Sequence, residues 1–485
     1  MQLKDILRNM EILSINGDLE IEIDNIQYDS RKVTDKTLFI CIKGFNSDGH
    51  DYIKNAIDKG ASAFLVQDDI NIPGYTFIKV ANTRITMSQV SDNFYQHPSK
   101  EMKVVGVTGT NGKTSITTLF NEIIKLNNKK AGLVGTIKIF DGENEILANS
   151  TTPESIDLQG YFRKMVQNGC EYCAMEVSSH SLVLNRVDET EFKVGIFTNL
   201  TPDHLDFHKD LEDYRQAKEK LFYKTVAANI INIDDIGGSE IYENIKFLKT
   251  PVYTYGIDKD ADFKATNIQM DIHGVYYKLI TPTYTDDIYI PIPGKFTVYN
   301  TLAVIAVCYI LNIPKEIVLE GLKRTKGVPG RFETIPNNKG ISVIVDYAHT
   351  PDALENILNT AKGFCNGNII TVFGCGGDRD KTKRPLMGKI AQNLSDKIII
   401  TSDNPRTEKP QLIIENILEG IDKNNNNYKV IENRENAIRE AIKIAKKGDI
   451  VIVAGKGHEN YQIIGKIKYD FDDKVVAKSA IDELY

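Results

Sequence analysis

The sequence predicts an α/β protein of three domains, each a sheet covered by helices. Three observations predict it. The chain has 485 residues, and one domain takes roughly 100–200. From Val104 onward, apolar strand-like runs alternate with helix-like stretches, the pattern of a mainly parallel sheet. That alternation breaks at GVPGRFE (327–333) and then restarts. The expected domains are therefore 1–99, small and α/β; 100–329, with a central parallel sheet; and 330–485, with an open Rossmann-like sheet.

Each element follows from local pattern. TLFICIKG (37–44) is a strand ending in glycine, and NAIDKGASAFLVQ (55–67) is a helix end, a turn and a strand. YQHPSKEMK (95–103) is polar and carries a proline, as linkers do. VVGVTGTNGKTSITTLFNEIIKLN (104–127) runs an apolar strand into a glycine-rich turn and an amphipathic helix. YCAMEVSS, VGIFTNL and NIINIDD supply further central strands. The longest apolar run, 302–311, is too short to cross a bilayer and reads as a buried helix. In the last third, VIVDYA, NIITVFGCGG, KIIITSD and DIVIVAGKG are buried strands, with LENILNTAKGF and NAIREAIKIAKK as helices between them. Ligands of such sheets sit on loops at the carboxyl ends of strands. All four strands end in a polar or glycine-rich loop. NNNN (424–427) reads as a surface loop.

Composition narrows the function. Apolar content of 41% and charged content of 26% are ordinary for a soluble globular protein. The net charge of -7 weighs against a general nucleic-acid binder. The N-terminus mixes charge with apolar residues and lacks a signal-peptide core, so neither export nor membrane insertion is expected. Six cysteines lie without a framework, which favours a reducing cytoplasm. Cys170 and Cys173 form a lone C-x-x-C with no second pair nearby; packing outweighs zinc or redox chemistry there.

The strongest local signal is Gly109-Thr110-Asn111-Gly112-Lys113-Thr114. Glycines let the backbone curl so that its N–H groups point at phosphate oxygens, and the following helix adds its positive end. Lys113 can neutralise β/γ-phosphates, and Thr114 can hold Mg²⁺. A ligand-free glycine turn is the bland alternative. Strand, turn, Lys-Thr pair and helix in this order favour nucleotide binding over it. No glycine lies five residues before Gly112, so the motif departs from the general P-loop.

GTNGKT after VVGVT resembles the form used by the Mur ligases and their folylpolyglutamate synthetase relatives, and the resemblance extends over essentially the whole chain. It implies a P-loop ATPase-like central domain, ATP and Mg²⁺ as cofactors, and amide-bond formation. Making an amide from a carboxylate is uphill, so ATP must first activate the acid. The implied route is an acyl phosphate that an amine attacks, with water excluded. Lys113, Glu176 in EVSSHS, His204 in TNLTPDHLDFH and Lys218 in YRQAKEKLF are the implied catalytic residues. Glu176 and His204, with Thr114, become Mg²⁺ ligands. Lys218 becomes a carbamoylated lysine that orients a second Mg²⁺; on its residues alone it would be a solvated helix lysine. Asn300, Arg331 and Asp346 are implied contacts to adenine, γ-phosphate and ribose. This chain has Thr297 where the family usually has asparagine, which weakens any adenine contact at that position.

The same resemblance implies the substrates. YDSRKVTDKTLFICIKGFNSDGHDYI (28–53) matches the domain that holds the UDP end of a cell-wall precursor, with Ser30, Phe45, Asn46 and Ser47 at the uridine and diphosphate. Thr151 and Thr152 of a TTP motif, with Ser178 and Arg186, match residues that hold the muramoyl peptide. The implied donor is UDP-MurNAc-L-Ala-D-Glu. Asp403-Asn404-Pro405-Arg406, with Arg379, Gly455 and Glu459, matches a pocket that selects meso-diaminopimelate. An arginine fork can grip the acceptor's far carboxylate bidentately, and lysine has none to offer. Meso-lanthionine carries the same two carboxylates and meets the same description. A monomer is expected.

Overall fold

The computed structural model describes residues 1–44 and 47–484. They form three large sheets, lying in turn along the chain, and one two-stranded hairpin. The first has five strands in the order Ser14–Asn16, Thr76–Lys79, Ala61–Val66, Thr37–Ile40, Asn25–Gln27. Its pairings are parallel except at Ser14–Asn16. Alternate residues face opposite sides. Leu38, Ile40, Ala63 and Leu65 pack beneath the helix Thr83–Phe94, whereas Phe39, Phe64 and Phe77 pack on the other face. Both faces are covered, which is why Thr37–Ile40 reads as a continuous buried run. The polar stretch after this domain is tied down: Arg163 donates to the carbonyls of Tyr95 and Gln96, at 2.9 and 3.0 Å.

The central sheet has eleven strands. Lys103–Thr108 lies between Tyr172–Glu176 and Phe192–Phe197, parallel to both. Val105 and Val107 face the helices Lys113–Leu126 and Lys295–Ile310, and Val104 faces Ser155–Gln167. The 302–311 run sits within Lys295–Ile310, and 302–308 is wholly buried. The sheet is mixed rather than parallel throughout. Phe263–Asp271 and Gly274–Ile280 are joined by two residues, far too few for a parallel crossover, so they pair antiparallel. Thr285–Ile290 at that edge, and Lys138–Phe140 with Glu145–Leu147 at the other, are antiparallel too.

The third sheet runs Glu333–Thr334, Ser342–Asp346, Ile450–Ala454, Ile369–Phe373, Lys397–Ile400, Tyr428–Val430. All pairings but the first are parallel. Pro351–Lys362, Lys383–Leu394 and Pro410–Leu418 cover one face, and Arg434–Ile444 and Asp473–Leu484 cover the other. The four strands read from sequence therefore end together, and their loops gather at one end. A hairpin, Tyr461–Ile464 with Ile467–Asp470, adds to that end. Among the described residues no helix is long and apolar enough to cross a membrane.

Candidate active site

The glycine-rich turn is built by its neighbours. Gly109 and Gly112 sit at φ 142° and 88°. A Cβ on Gly109 would lie 1.8 Å from Thr198 Oγ1, and one on Gly112 would lie 2.5 Å from Asn300 Oδ1. Only glycine combines that backbone with that approach. Lys113 opens the helix and folds back over the turn, donating to the carbonyls of Gly109 and Thr110 at 2.8 and 2.7 Å. Asn111 N donates to Asn199 Oδ1 at 2.9 Å, and its side chain donates to Asp352 Oδ2 at 2.9 Å, which links the turn to the third domain.

This turn opens on a cavity of about 520 Å³ between the central and C-terminal sheets. Thr110, Asn111, Gly112, Lys113, Thr114, Thr151, Glu176, Ser178, His204, Lys218, Asn300, Arg331 and Asp346 all line it. Glu176 ends a strand and is almost fully buried; Thr136 donates to it through N–H and hydroxyl, at 3.0 and 2.9 Å. His204 is in the left-handed region at φ 56°, with Nε2 3.5 Å from Asp203. Burial pushes its imidazole down to about 4, with Asp203 opposing, so the ring is neutral and keeps a lone pair. Lys218 is 1% exposed, not solvated. It donates to Gly109 O at 2.9 Å and lies 4.2 Å from the Tyr214 ring centre. Burial, then the charge of Lys113, holds it well below the ordinary lysine value. On the far wall, Arg331 lies 4.6 Å over Tyr347 and its Nε is buried without a partner, as suits a phosphate-facing arginine. Asp346 accepts from the N–H groups of Phe332 and Ala348 at 2.6 and 2.7 Å, and burial raises its carboxyl. The hydroxyl of Thr114, the carboxylate of Glu176 and the neutral imidazole of His204 are a donor set that fits Mg²⁺ held jointly with phosphate. Thr297 turns its hydroxyl to Pro293 O at 3.1 Å inside the helix and does not line the cavity.

Sequence reasoning missed Asp203, Asn199, Tyr214, His349 and Asp352, which also line the cavity. The signal was available for four of them. Asn199 and Asp203 share the strand-end loop of His204, and His349 and Asp352 follow Asp346 on another. Nothing in the spacing marks Tyr214.

The donor residues form a compact cluster beside Glu176. Thr152 Oγ1 donates to Glu176 O at 2.8 Å and to Ser178 Oγ at 3.2 Å. Arg186 donates to Thr152 O at 3.0 Å and pairs with Glu154 at 2.8 Å. Glu154, another residue missed, also pairs with Arg84 of the first domain at 3.1 Å. Ser30 is half-buried and Ser47 exposed; Phe45 and Asn46 lie outside the described residues.

The acceptor residues form a second cluster near Tyr347, whose ring lies 4.9 Å from His458. Asn404 donates to Glu459 Oε2 at 2.8 Å and accepts from Lys456 at 3.1 Å. Lys456 is fully buried, also bonds Glu459 Oε2 at 2.9 Å, and was not anticipated. Its charge occupies one oxygen of the carboxylate expected to hold an ammonium group. A Cβ on Gly455 would lie 2.8 Å from Asp403 Oδ2. A Cβ on Gly376 would lie 3.0 Å from Arg406 Nη1 and 3.8 Å from Arg379 Cγ, so both arginines flank that glycine. Pro405 O closes against Gly377.

With this geometry in place, comparison identifies the class. The Mur ligase family catalytic domain matches residues 22–111, the Mur ligase middle domain 107–308, and the Mur ligase glutamate ligase domain 330–457. The chain belongs to the Mur ligase family. Within it, the similarity is to UDP-N-acetylmuramoyl-L-alanyl-D-glutamate–2,6-diaminopimelate ligases. That of Clostridioides difficile is 68% identical over 484 residues, covering 100% of both chains. That of Alkaliphilus metalliredigens is 50% identical over 484 residues, covering 100% of this chain and 98% of its own. A solved structure of a ligase of that name superposes with a TM-score of 0.72 at 29% identity, covering 100% of this chain and 99% of the other. A MurF ligase from Thermotoga maritima in complex with ADP shares the fold, with a TM-score of 0.63 at 16% identity, covering 95% of this chain and 96% of its own.

Proposed function

We propose that this chain is the ATP-dependent ligase that joins meso-diaminopimelate to UDP-MurNAc-L-Ala-D-Glu in peptidoglycan synthesis. One observation carries the reading: the 68% identity, end to end, with the Clostridioides difficile relative of that name. The site geometry supports it. A carboxylate oxygen of the glutamyl residue attacks the γ-phosphorus, ADP leaves, and an acyl phosphate forms. The diaminopimelate amine then attacks the acyl carbon and phosphate leaves. Lys113 and Arg331 neutralise the transferring phosphoryl group, and the cavity walls exclude water. When bound, Mg²⁺ would be held by Thr114, Glu176 and His204, with Lys218 as a carbamate orienting a second ion, and would supply charge stabilisation at the phosphates. Asn300 and Asp346 face the nucleoside.

Residues 1–99, with Ser30, Phe45, Asn46 and Ser47, take the UDP end. Residues 100–329 take ATP and, through Thr151, Thr152, Ser178 and Arg186, the peptide. Residues 330–485 take the amino acid through Arg379, Asp403–Arg406, Gly455 and Glu459. It acts as a cytoplasmic monomer in this reading; its cysteines are all unpaired, as a reducing compartment keeps them. The test is phosphate release from ATP by the purified protein. Release is expected only with both UDP-muramoyl-dipeptide and diaminopimelate present. Hydrolysis indifferent to both would sink the reading.

A further inference from the structure

We infer that the ion pair of buried Arg384 with half-buried Glu408 is a positioning element that aims the Arg406 guanidinium at the far carboxylate of the acceptor. The inference rests on the acceptor reading above and assigns it two residues outside the expected pocket. Its basis is a set of bonds converging on one short loop. Arg406 Nη1 donates to Gly377 O at 2.8 Å. The residues on either side of Gly377 are held by the same ion pair. Arg384 Nη2 donates to Gly376 O at 3.2 Å, and Asp378 N donates to Glu408 Oε1 at 2.6 Å.

The pair itself is rigid. Arg384 is fully buried and bonds both oxygens of Glu408, at 3.0 and 2.8 Å. Its Nη1 also donates to Asn416 Oδ1 at 3.0 Å, which anchors the pair to the helix Pro410–Leu418. A bidentate arginine–carboxylate pair fixes orientation as well as distance, which a lysine cannot do. Two further bonds zip the loop to the Arg406 segment: Gly377 N donates to Asn404 O at 2.9 Å, and Thr407 Oγ1 donates to Asp378 Oδ1 at 2.7 Å. There is no slack, because a Cβ on Gly377 would lie 1.9 Å from Pro405 O. Arg406 and Asp378 both hold left-handed backbone, at φ 50° and 52°, and that conformation persists only where surroundings impose it. If the Gly376–Asp378 loop turned, the Gly377 carbonyl would leave Nη1 and the guanidinium would lose its fixed direction.

The experiment is steady-state kinetics on the full chain with a double-substitution cycle. Glu408→Gln keeps the size and an acceptor oxygen but removes the ion pair. It is expected to raise KM for meso-diaminopimelate about tenfold, with the loss in KM rather than kcat and KM for ATP changed less than about twofold. In an Arg406→Ala background the same substitution should add nothing, since its effect passes through Arg406. Should Glu408→Gln not fold, Thr407→Val tests the exposed side of the clamp. Losing one charge-assisted bond there should raise the same KM about fivefold, again only when Arg406 is present. An unchanged KM in a folded Glu408→Gln protein, or additive losses in the double variant, would overturn the inference while leaving the acceptor reading intact. If Arg406→Ala itself left KM unchanged, both would fall together.

Discussion

The side-chain nitrogens of Lys113 and Lys218 both donate to the carbonyl oxygen of Gly109, at 2.8 and 2.9 Å. Two cations on one oxygen in a buried place repel each other, and Lys218 gives way, since burial and its neighbour's charge hold it well below the ordinary lysine value. A neutral amine is the form that takes up carbon dioxide. The resulting carbamate would exchange a repelled cation for an anion beside Lys113.

Lys218 is therefore expected to carry a carbamate in active enzyme. With ¹³C-enriched bicarbonate, a carbamate resonance should appear, and Lys218→Arg should abolish it. That variant should also lose roughly 100-fold or more in kcat, the usual scale for removing one element of electrostatic stabilisation. Full activity in enzyme lacking the resonance would refute the modification.

Arg406→Ala should raise KM for meso-diaminopimelate sharply while ATP affinity barely changes. A hydrogen bond to a charged group is worth about 1.5–3 kcal/mol, so the rise should be roughly 10- to 100-fold. The cavity at the glycine-rich turn does not include Arg406, which is why the two effects separate. Joining lysine as readily as diaminopimelate would end the selectivity argument.

These two residues also show what sequence could reveal. Arg406 lies six residues past a strand, KIII, whose buried apolar run announces itself, and strand-end loops of open sheets are where ligands collect. Lys218 gave no such signal. Its helix Leu211–Glu219 is polar along most of its length, and only the tertiary fold brings Lys218 under the turn at Gly109, 109 residues away in sequence. Lys456 does lie on such a loop, two residues past the strand Ile450–Ala454, but only the fold shows it buried against Asn404, 52 residues away in sequence. The antiparallel edges of the central sheet were missed because Phe263–Asp271 is exposed over much of its length and lacks a continuous apolar run.

Gly112→Ala should cripple ATP binding with little change in melting temperature. The new methyl would meet Asn300 Oδ1 at 2.5 Å on a backbone at φ 88°. Left-handed backbone costs a non-glycine residue about 1–2 kcal/mol, so the turn would shift rather than the fold fail. KM for ATP is expected to rise at least about tenfold, read by initial rates at saturating donor and acceptor. Unaltered ATP kinetics would show that the turn does not meet the nucleotide.

Stability should fall as pH drops from neutrality, and the cleft histidines set the window, His349 and His458 alongside His204. Burial, the largest cause for both, pushes His349 and His458 down to about 4, from an ordinary 6.5. As pH falls below 6.5 the unfolded chain gains a proton on each, and the native protein does not until about 4. The unfolded state then binds more protons, so stability is complete above 6.5, declines through that interval and levels off below it. Carboxylates such as Glu408, held at about 2 by Arg384, enter only at lower pH. The melting temperature should therefore drop by several degrees between about pH 7 and pH 5. His458→Gln should shrink that drop, since the ring's Nδ1 has no hydrogen-bond partner whose loss would mask the gain. A drop of undiminished size in the variant would place the acid sensitivity elsewhere.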